Sequence, residues 1–408
     1  MASRRSRQIV VAGGGIAGLT AALAFAQRGF ATSVFEQAAR FEPFGAGLQL
    51  SPNATHLLDD LGVMAHLQRR AVEPAAVLLR DAATLNVLAR IPLGAFARQR
   101  WDAPYFAVHR ADLHAALLNR VVQLGGIEVI NGARIAGIST KNGEVLALSV
   151  EQGDRSTEIE AEMIVGADGV WSTLRERRFG ASRRRFSGMV AWRATIAATS
   201  PAGDAFAAIS TADCVTTFLH PRFHLVAYPV SGGATFNLVA VTNGTVDADG
   251  KAVRTDISVL KDALRGTPPA LTRLVDETGA WTAWPLNTVD QDGPWTRAEG
   301  VALIGDAAHA MTPFAAQGAA MAIEDAVTLA QAVSSAGPDL AGALSSWEAT
   351  RKARVRKVAR RGALNKLAWN AGGPLALGRN LLLRLRSPES LAADLDWLYG
   401  WRMAKAGA

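Results

Sequence analysis

The segment RQIVVAGGGIAGLTAALAFAQRGFATSVFE, residues 7–36, decides the fold. It opens with an apolar run that reads as a buried strand and breaks into glycines. Gly13-Gly14-Gly15-Ile16-Ala17-Gly18 then has GxGxxG spacing and opens a helix that stops at Gly29. ATSVFE follows as a second parallel strand, ending on Glu36. In this setting each glycine of the motif answers a geometric need. The first permits the tight turn, the second lets backbone approach a pyrophosphate, and the third lets helix and strand pack closely. The free N–H groups of the helix N-terminus suit phosphates, and Glu36 stands where an acid accepts hydrogen bonds from adenosine ribose hydroxyls. A lone GxGxxG would be weak evidence. Strand, helix, strand and acid together point to a dinucleotide site at Gly13, Gly15, Ile16, Ala17, Gly18 and Glu36.

The chain of 408 residues exceeds the size at which one core stops growing, so two interleaved domains are expected. With 49% hydrophobic and 19% charged residues it reads as a soluble globular enzyme. A single cysteine, Cys214, excludes an internal disulfide framework and a cysteine-clustered metal site, and suits a reducing cytoplasm. SRRSR before the apolar segment imitates a secretory signal, but the glycines interrupt it and a charged turn and strand follow. No uninterrupted apolar run reaches about 18 residues, so no transmembrane helix is expected. The net charge of +7 implies a solvated basic surface or, alternatively, attraction of anionic small molecules. RKARVRKVARR (351–361) reads as cations spread along a helix without interleaved aromatics, which argues against a nucleic-acid partner. Contact of this helix with a lipid surface stays open.

Further along, HRADLHAALLNRVVQLGG (109–126) has helical spacing stopped by Gly125. IEVI, ARIAGIST, a hairpin turning at Asn142-Gly143 into EVLALSV, and EIEAEMIVGADG read as strands. VAWRATI, CVTTFLH, FHLVAYPV and ATFNLVAVTN, between about 183 and 284, read as an antiparallel sheet able to floor a pocket. GVALIG (300–305) returns to the parallel style, and helices follow. The expected division is an α/β, Rossmann-like nucleotide-binding domain from 1–75, 100–182 and 285–360, a β-rich domain from 76–99 and 183–284, and a C-terminal helical segment, 361–408.

Three motifs spread along the chain resemble the group A flavoprotein monooxygenases, single-chain aromatic hydroxylases of the p-hydroxybenzoate hydroxylase fold. They are the GxGxxG with Glu36, GADGVWSTLR (166–175) and IGDAAHAMTP (304–313). GAGLQLSPNA (45–54), HRADLH and QGAAMAIEDA have the texture of the salicylate, 3-hydroxybenzoate and 6-hydroxynicotinate hydroxylase branch. The resemblance implies non-covalent FAD in a glutathione-reductase-like domain, with NADH or NADPH as transient reductant. It places Asp168 near both FAD and the nicotinamide, although the same aspartate could cap the following turn. It places Arg110 on the FAD, and Asp306 on the ribityl or pyrophosphate region. Arg40 could meet the adenosine, meet a nicotinamide phosphate or be plainly solvated. Pro313 would set a helix whose first turn, Phe314 to Gly318, with Ala316 and Gln317, is kept small so that its N–H groups approach the isoalloxazine edge. His309 reads as structural, and His220 as a residue of the turn before Pro221.

On the substrate side, His224 and Tyr228 are four apart on a strand and share a face with Val226. Hydroxylases of the branch carry a His and a Tyr at this spacing. A His could take a phenolic proton and a Tyr could donate to a phenolate or carboxylate; the competing reading is a satisfied core pair. Gln49 and Phe314 complete the expected pocket. Two departures from the branch stand out. WPLNTVD replaces the usual Asp-Arg pair with Thr288 and Val289, and Phe314 stands where the 6-hydroxynicotinate type has a second histidine. A phenyl ring cannot act as a base, which points to a more apolar or differently decorated ring than 6-hydroxynicotinate.

The implied reaction is hydroxylation of a small phenol or hydroxy-heteroaromatic by O2 and NAD(P)H through a flavin C4a-hydroperoxide, decarboxylative if the attacked carbon bears a carboxylate. The resemblance admits a homodimer. Two alternatives stay open: an FAD-dependent reductase or oxidase of the same fold without oxygen insertion, and a non-catalytic FAD protein.

Overall fold

The structure is a computed structural model describing residues 8–41, 46–141, 145–180, 184–247, 250 and 252–404. The signal-like residues before Gln8, Gly45 and the Asn142-Gly143 turn lie outside the described residues.

Gln8–Ala12 forms the interior of a six-stranded sheet ordered 296–297, 301–303, 163–166, 8–12, 31–36, 127–131. All neighbours are parallel except the short outer strand Thr296–Arg297. Ile9, Val10 and Val11 are fully buried, which explains a continuous apolar run in place of alternation. The helix Ile16–Ala26 follows, and Gly29 ends its turn at φ +81°. A second helix, Gly318–Ser335, lies against it. Close approach is possible because the residues between them are small: a Cβ on Gly305 would stand 3.0 Å from Ala322 Cβ and 3.3 Å from Ala17 Cβ. Part of the Ala/Gly run after Pro313 therefore serves helix packing.

The expected first helical turn at Phe314 does not form. Pro313–Ala315 is a 3-10 turn, Ala316 adopts the left-handed conformation at φ +51°, and the α-helix starts only at Gly318. EIEAEMIVGADG also divides. Arg155–Ala161 joins Ala133–Lys141 and Val145–Gln152 in a three-stranded antiparallel sheet, whereas Met163–Gly166 enters the parallel sheet beside Gln8–Ala12.

The other large sheet is seven-stranded, in the order 282–289, 184–197, 235–243, 223–230, 214–220, 76–81, 87–92. Its strands Cys214–His220 and Phe223–Val230 coincide with the sequence reading. It departs from pure antiparallel pairing at one junction, where Cys214–His220 runs parallel to Ala76–Asp81. Alternation assigns the two faces: Phe223, Leu225 and Ala227 enter a core with Trp192, Phe218 and Leu238, while His224, Val226 and Tyr228 line a cavity on the opposite face.

The helix Leu340–Trp369 runs without interruption through residue 361, and Gly373–Leu385, Pro388–Ala393 and Asp396–Tyr399 follow. RKARVRKVARR is not simply a solvated stripe. Helical periodicity buries Arg351, Val355, Val358 and Gly362 along one side, and Arg351 forms ion pairs at 2.7 Å with both Glu324 and Asp325. Among the described residues no helix is long and apolar enough to cross a membrane.

Candidate active site

The carboxyl ends of three parallel strands, 8–12, 163–166 and 301–303, lead into Gly15, Ala167 and Ile304 at one end of a cavity of about 440 Å³. The seven-stranded sheet floors its other end. Open α/β sheets bind ligands beyond their carboxyl edges for a topological reason, and this cavity occupies that position.

The glycine loop fits the role expected of it. Gly13 has φ +108°, and a Cβ there would lie 2.5 Å from the Ala167 carbonyl oxygen. A Cβ on Gly18 would lie 1.9 Å from the Gly13 carbonyl oxygen. Gly15 meets nothing within 4 Å and faces the cavity with Ile16 and Ala17. Backbone thus lies open only at the position where a pyrophosphate would approach. Glu36 shapes the loop, accepting from Gly14 N and Ala38 N at 2.8 Å each. His114, one turn beyond Arg110, bonds the Gly14 carbonyl at 2.7 Å and ties the helix Arg110–Leu124 to the loop. Arg110 is the first residue of that helix and is exposed to the cavity.

Asp306, Pro313, Phe314, Ala316, Gln317 and Gly318 also line the cavity. Asp306 begins a short helix three residues after its strand ends at Leu303, and its side chain is exposed. The Gln317 side chain is committed elsewhere, donating to Ser51 Oγ at 2.9 Å and accepting from Asn53 at 3.2 Å; what it can offer a ligand is backbone. Asp168 does not line the cavity, though Ala167 and Gly169 do. Its Oδ2 accepts from Leu174 N at 3.1 Å, which is the capping role, while its buried Oδ1 has no partner. Arg40 is exposed and outside the cavity. An open pyrophosphate cradle, exposed Arg110 and Asp306, and an unpartnered Asp168 oxygen beside the same loops together fit FAD.

At the floor, His224 is 2% exposed and packs against Phe314 and Trp369 at ring separations of 4.7 and 5.2 Å. Burial in these apolar surroundings lowers its pKa to about 3, so it is neutral, and its Nδ1 has no partner. Tyr228 is buried two pleat repeats away, and burial raises its hydroxyl above the ordinary tyrosine value against the opposing pull of Arg193 and Gln49. Gln49 accepts from Tyr105 at 2.6 Å. All three tyrosines of the chain, Tyr105, Tyr228 and Tyr399, line this one cavity, so it holds hydroxyl donors that stay protonated. Gly47 is required here as well, since a Cβ would meet the Tyr228 ring at 2.6 Å.

Several residues escaped the sequence reading. Behind the helix Gly318–Ser335, Asp325 accepts from Gly305 N at 2.9 Å and pairs with His309 at 2.5 Å. Burial pushes the Asp325 carboxyl up, but His309 and Arg351 prevail and hold it at about 2. His309 is structural, as expected. Arg354 and Asn53 complete the surroundings of Glu324 at 2.9 and 2.7 Å. Adjacent acids within the apolar run QGAAMAIEDA were the available signal, because buried carboxylates need cations. Arg175 joins the two later motifs, donating to the Ala307 and Val170 carbonyls at 2.9 and 2.8 Å. Arg193 and Arg361 face the cavity; nothing local in the sequence marks Arg193, and Arg361 ends the basic stretch 351–361 without standing out from its other cations.

Comparison with known proteins agrees with this geometry. The FAD binding domain family matches residues 6–362. The 3-hydroxybenzoate 6-hydroxylase of Polaromonas naphthalenivorans is 33% identical over 97% of this chain and 96% of its own length. The 6-hydroxynicotinate 3-monooxygenase of Pseudomonas fluorescens is 33% identical over 87% of this chain and 90% of its own. The crystal structure of Klebsiella pneumoniae HpxO with FAD and uric acid shares the fold at a TM-score of 0.81, with 24% identity over 96% of each chain. The chain belongs to the FAD binding domain family, in the group of the flavin-dependent aromatic hydroxylases.

Proposed function

We propose, with that family membership as premise, that this enzyme is an FAD-dependent, NAD(P)H-consuming monooxygenase that hydroxylates a small phenolic or hydroxy-heteroaromatic ring. The observation that carries the reading is a single cavity that joins the glycine loop to a sheet floor bearing His224 and Tyr228. Gly13, Gly15, Ile16, Ala17, Gly18, Glu36 and Arg110 would hold the adenosine and pyrophosphate end of FAD. Asp168, Asp306 and the backbone from Pro313 to Gly318 would hold the remainder. Bound FAD supplies hydride acceptance from NADH or NADPH and the activation of O2 that inserts one oxygen atom into the ring.

The chain's own residues position the substrate and exclude water. Phe314 and Trp369 close one side, and Val226, Val239 and Val241 make an apolar floor. At a pKa of about 3, His224 does not take a phenolic proton outright, since a phenol holds its proton to about pH 10. It accepts the hydrogen bond of the substrate hydroxyl and draws electron density into the ring. Tyr228, kept protonated, donates. A carboxylate on the attacked carbon would leave as CO2.

The two large sheets support a division into 1–75, 100–182 and 285–360 for FAD, 76–99 and 183–284 for substrate, and 361–408 as closing helices, except that the strand Thr282–Val289 of the seven-stranded sheet crosses the boundary at 284/285. Leu395, Leu398 and Tyr399 of the closing helices reach the cavity wall. A homodimer suits the exposed leucines Leu375, Leu377, Leu381, Leu382 and Leu385, and a cytoplasmic setting suits the need for NADH or NADPH. The test is to measure NAD(P)H oxidation and O2 uptake with hydroxylated aromatic acids and pyridines, with identification of the product. NAD(P)H consumption that no such compound accelerates, or acceleration with every electron ending in peroxide, would favour a reductase or oxidase.

A further inference from the structure

The cavity contains three guanidinium groups, Arg110, Arg193 and Arg361, and one carboxylate, Asp306. Arg193 differs from Arg110 in its position. Arg110 stands at the glycine-loop end, one turn from His114 and its bond to Gly14. Arg193 rises from the strand Arg184–Ala197 on the floor of the opposite sheet. Register places Arg193 beside Val239, Val239 beside Val226, Val226 beside Thr217, and Thr217 beside Leu79. All five line the cavity, so they form one row across its floor. His224 and Tyr228 lie two residues to either side of Val226 on the same face. Arg193 is therefore two strand spacings, about 10 Å, from the His224–Tyr228 strand, and roughly 7 Å along it from each of them. An arginine side chain covers more than half of the first distance. The gap left is of the order of one aromatic ring, and its bottom is Val239 and Val226.

Arg193 also lacks a counter-charge. Its buried Nε has no hydrogen-bond partner. Among the described residues no carboxylate pairs with it, and the Trp284 ring lies 5.9 Å from the guanidinium carbon. Burial, with Arg110 adding to it and Tyr228 opposing, holds its pKa below the ordinary arginine value, yet a guanidinium remains charged at any working pH. A half-buried cation left unpaired is costly unless a ligand supplies the anion. The forked guanidinium matches a planar carboxylate in two parallel hydrogen bonds.

Building on the hydroxylase reading above, we propose that Arg193 is the anion subsite of the substrate pocket, binding the carboxylate of a hydroxylated aromatic acid and aiming its hydroxyl at His224. Net cationic charge at the floor then selects aromatic acids over neutral phenols, and the apolar row under the ring accepts the ring's face.

The test uses the FAD-loaded enzyme and three pairs of probes: 3-hydroxybenzoate, 4-hydroxybenzoate and salicylate, each with its carboxamide. Equilibrium binding is read from the change in flavin absorbance. The wild type binds at least one acid tightly and its amide poorly. Arg193→Gln weakens that acid by about 100-fold or more, moves the amide less than 3-fold and leaves FAD affinity unchanged. Arg193→Lys, which keeps the charge without the fork, recovers part of the loss and shows that the fold survives at this position. Equal weakening of acid and amide, loss of FAD, or a wild type that binds no acid or binds amides as well as acids would overturn the subsite. The two readings fail separately. Arg193-dependent acid binding without coupled NAD(P)H oxidation would sink the hydroxylase and leave the subsite. Turnover of neutral phenols alone would do the reverse.

Discussion

His224 is buried against Phe314, Trp369 and the sheet at the cavity floor, and its burial makes stability depend on pH in a calculable way. Its pKa is about 3 in the folded protein against 6.5 for an ordinary histidine. The folded state therefore keeps the ring neutral while the unfolded chain takes up a proton below pH 6.5. The stability this difference carries is whole above that pH and is lost as pH falls towards 3. Between pH 7.5 and 4.5 the loss is about 3 kcal/mol, or roughly a hundredfold in the folding equilibrium. For a chain of 408 residues this corresponds to about 3 °C in Tm. The measurement compares denaturant unfolding of FAD-loaded wild type and His224→Gln at a series of pH values across this range. His56 and His220, whose pKa values burial also lowers, contribute to both proteins and cancel. Asp325, held at about 2, has not begun to titrate. The variant should have the shallower slope by about 1.4 kcal/mol per pH unit near pH 5. Parallel slopes for the two proteins would refute the claim that this ring is buried neutral.

The glycine loop makes a paired prediction. Gly18→Ala, with its Cβ 1.9 Å from the Gly13 carbonyl oxygen, should lower the melting temperature of the apoprotein. Gly15→Ala meets nothing within 4 Å and should leave apoprotein stability intact while FAD affinity, measured by flavin fluorescence quenching, falls at least tenfold. Arg351→Met should destabilise by roughly 3–5 kcal/mol in denaturant unfolding, because it strands Glu324 and Asp325 in the core; adding Glu324→Gln should return part of that loss. A change of Leu381 and Leu382 to Glu should convert a dimer to monomer in sedimentation, with unchanged NAD(P)H oxidation per chain.

Much of this molecule was legible from local pattern. The first βαβ unit is written in local pattern: the demand on Gly18 is made by the Gly13 carbonyl five residues earlier, although the one on Gly13 is sharpened by the distant Ala167 carbonyl. The exact match of CVTTFLH and FHLVAYPV to strands has the same origin in period-two alternation bounded by turn residues. The shared face of His224, Val226 and Tyr228 followed too, since alternation along one strand settles it. Local pattern misled where a single residue changes the backbone path. Ala316 in the left-handed region delays the helix to Gly318, and the strand expected through Glu162 divides between two sheets.

What the sequence determined by itself is the set of parts: a dinucleotide loop, two sheet styles, and a His-Tyr face on one strand, each specified by backbone geometry and hydrophobic period over short spans. What only the tertiary structure decided is which charges meet. Arg351 is committed to Glu324 and Asp325 although it sits in a stripe of similar cations, and Arg193 is left unpaired beside Tyr228 although it sits in an ordinary strand. Helix phase and strand register set these outcomes across separations of tens of residues. Electrostatic pairing depends on distances in space and on burial, and the order of residues along the chain specifies neither until the core has closed.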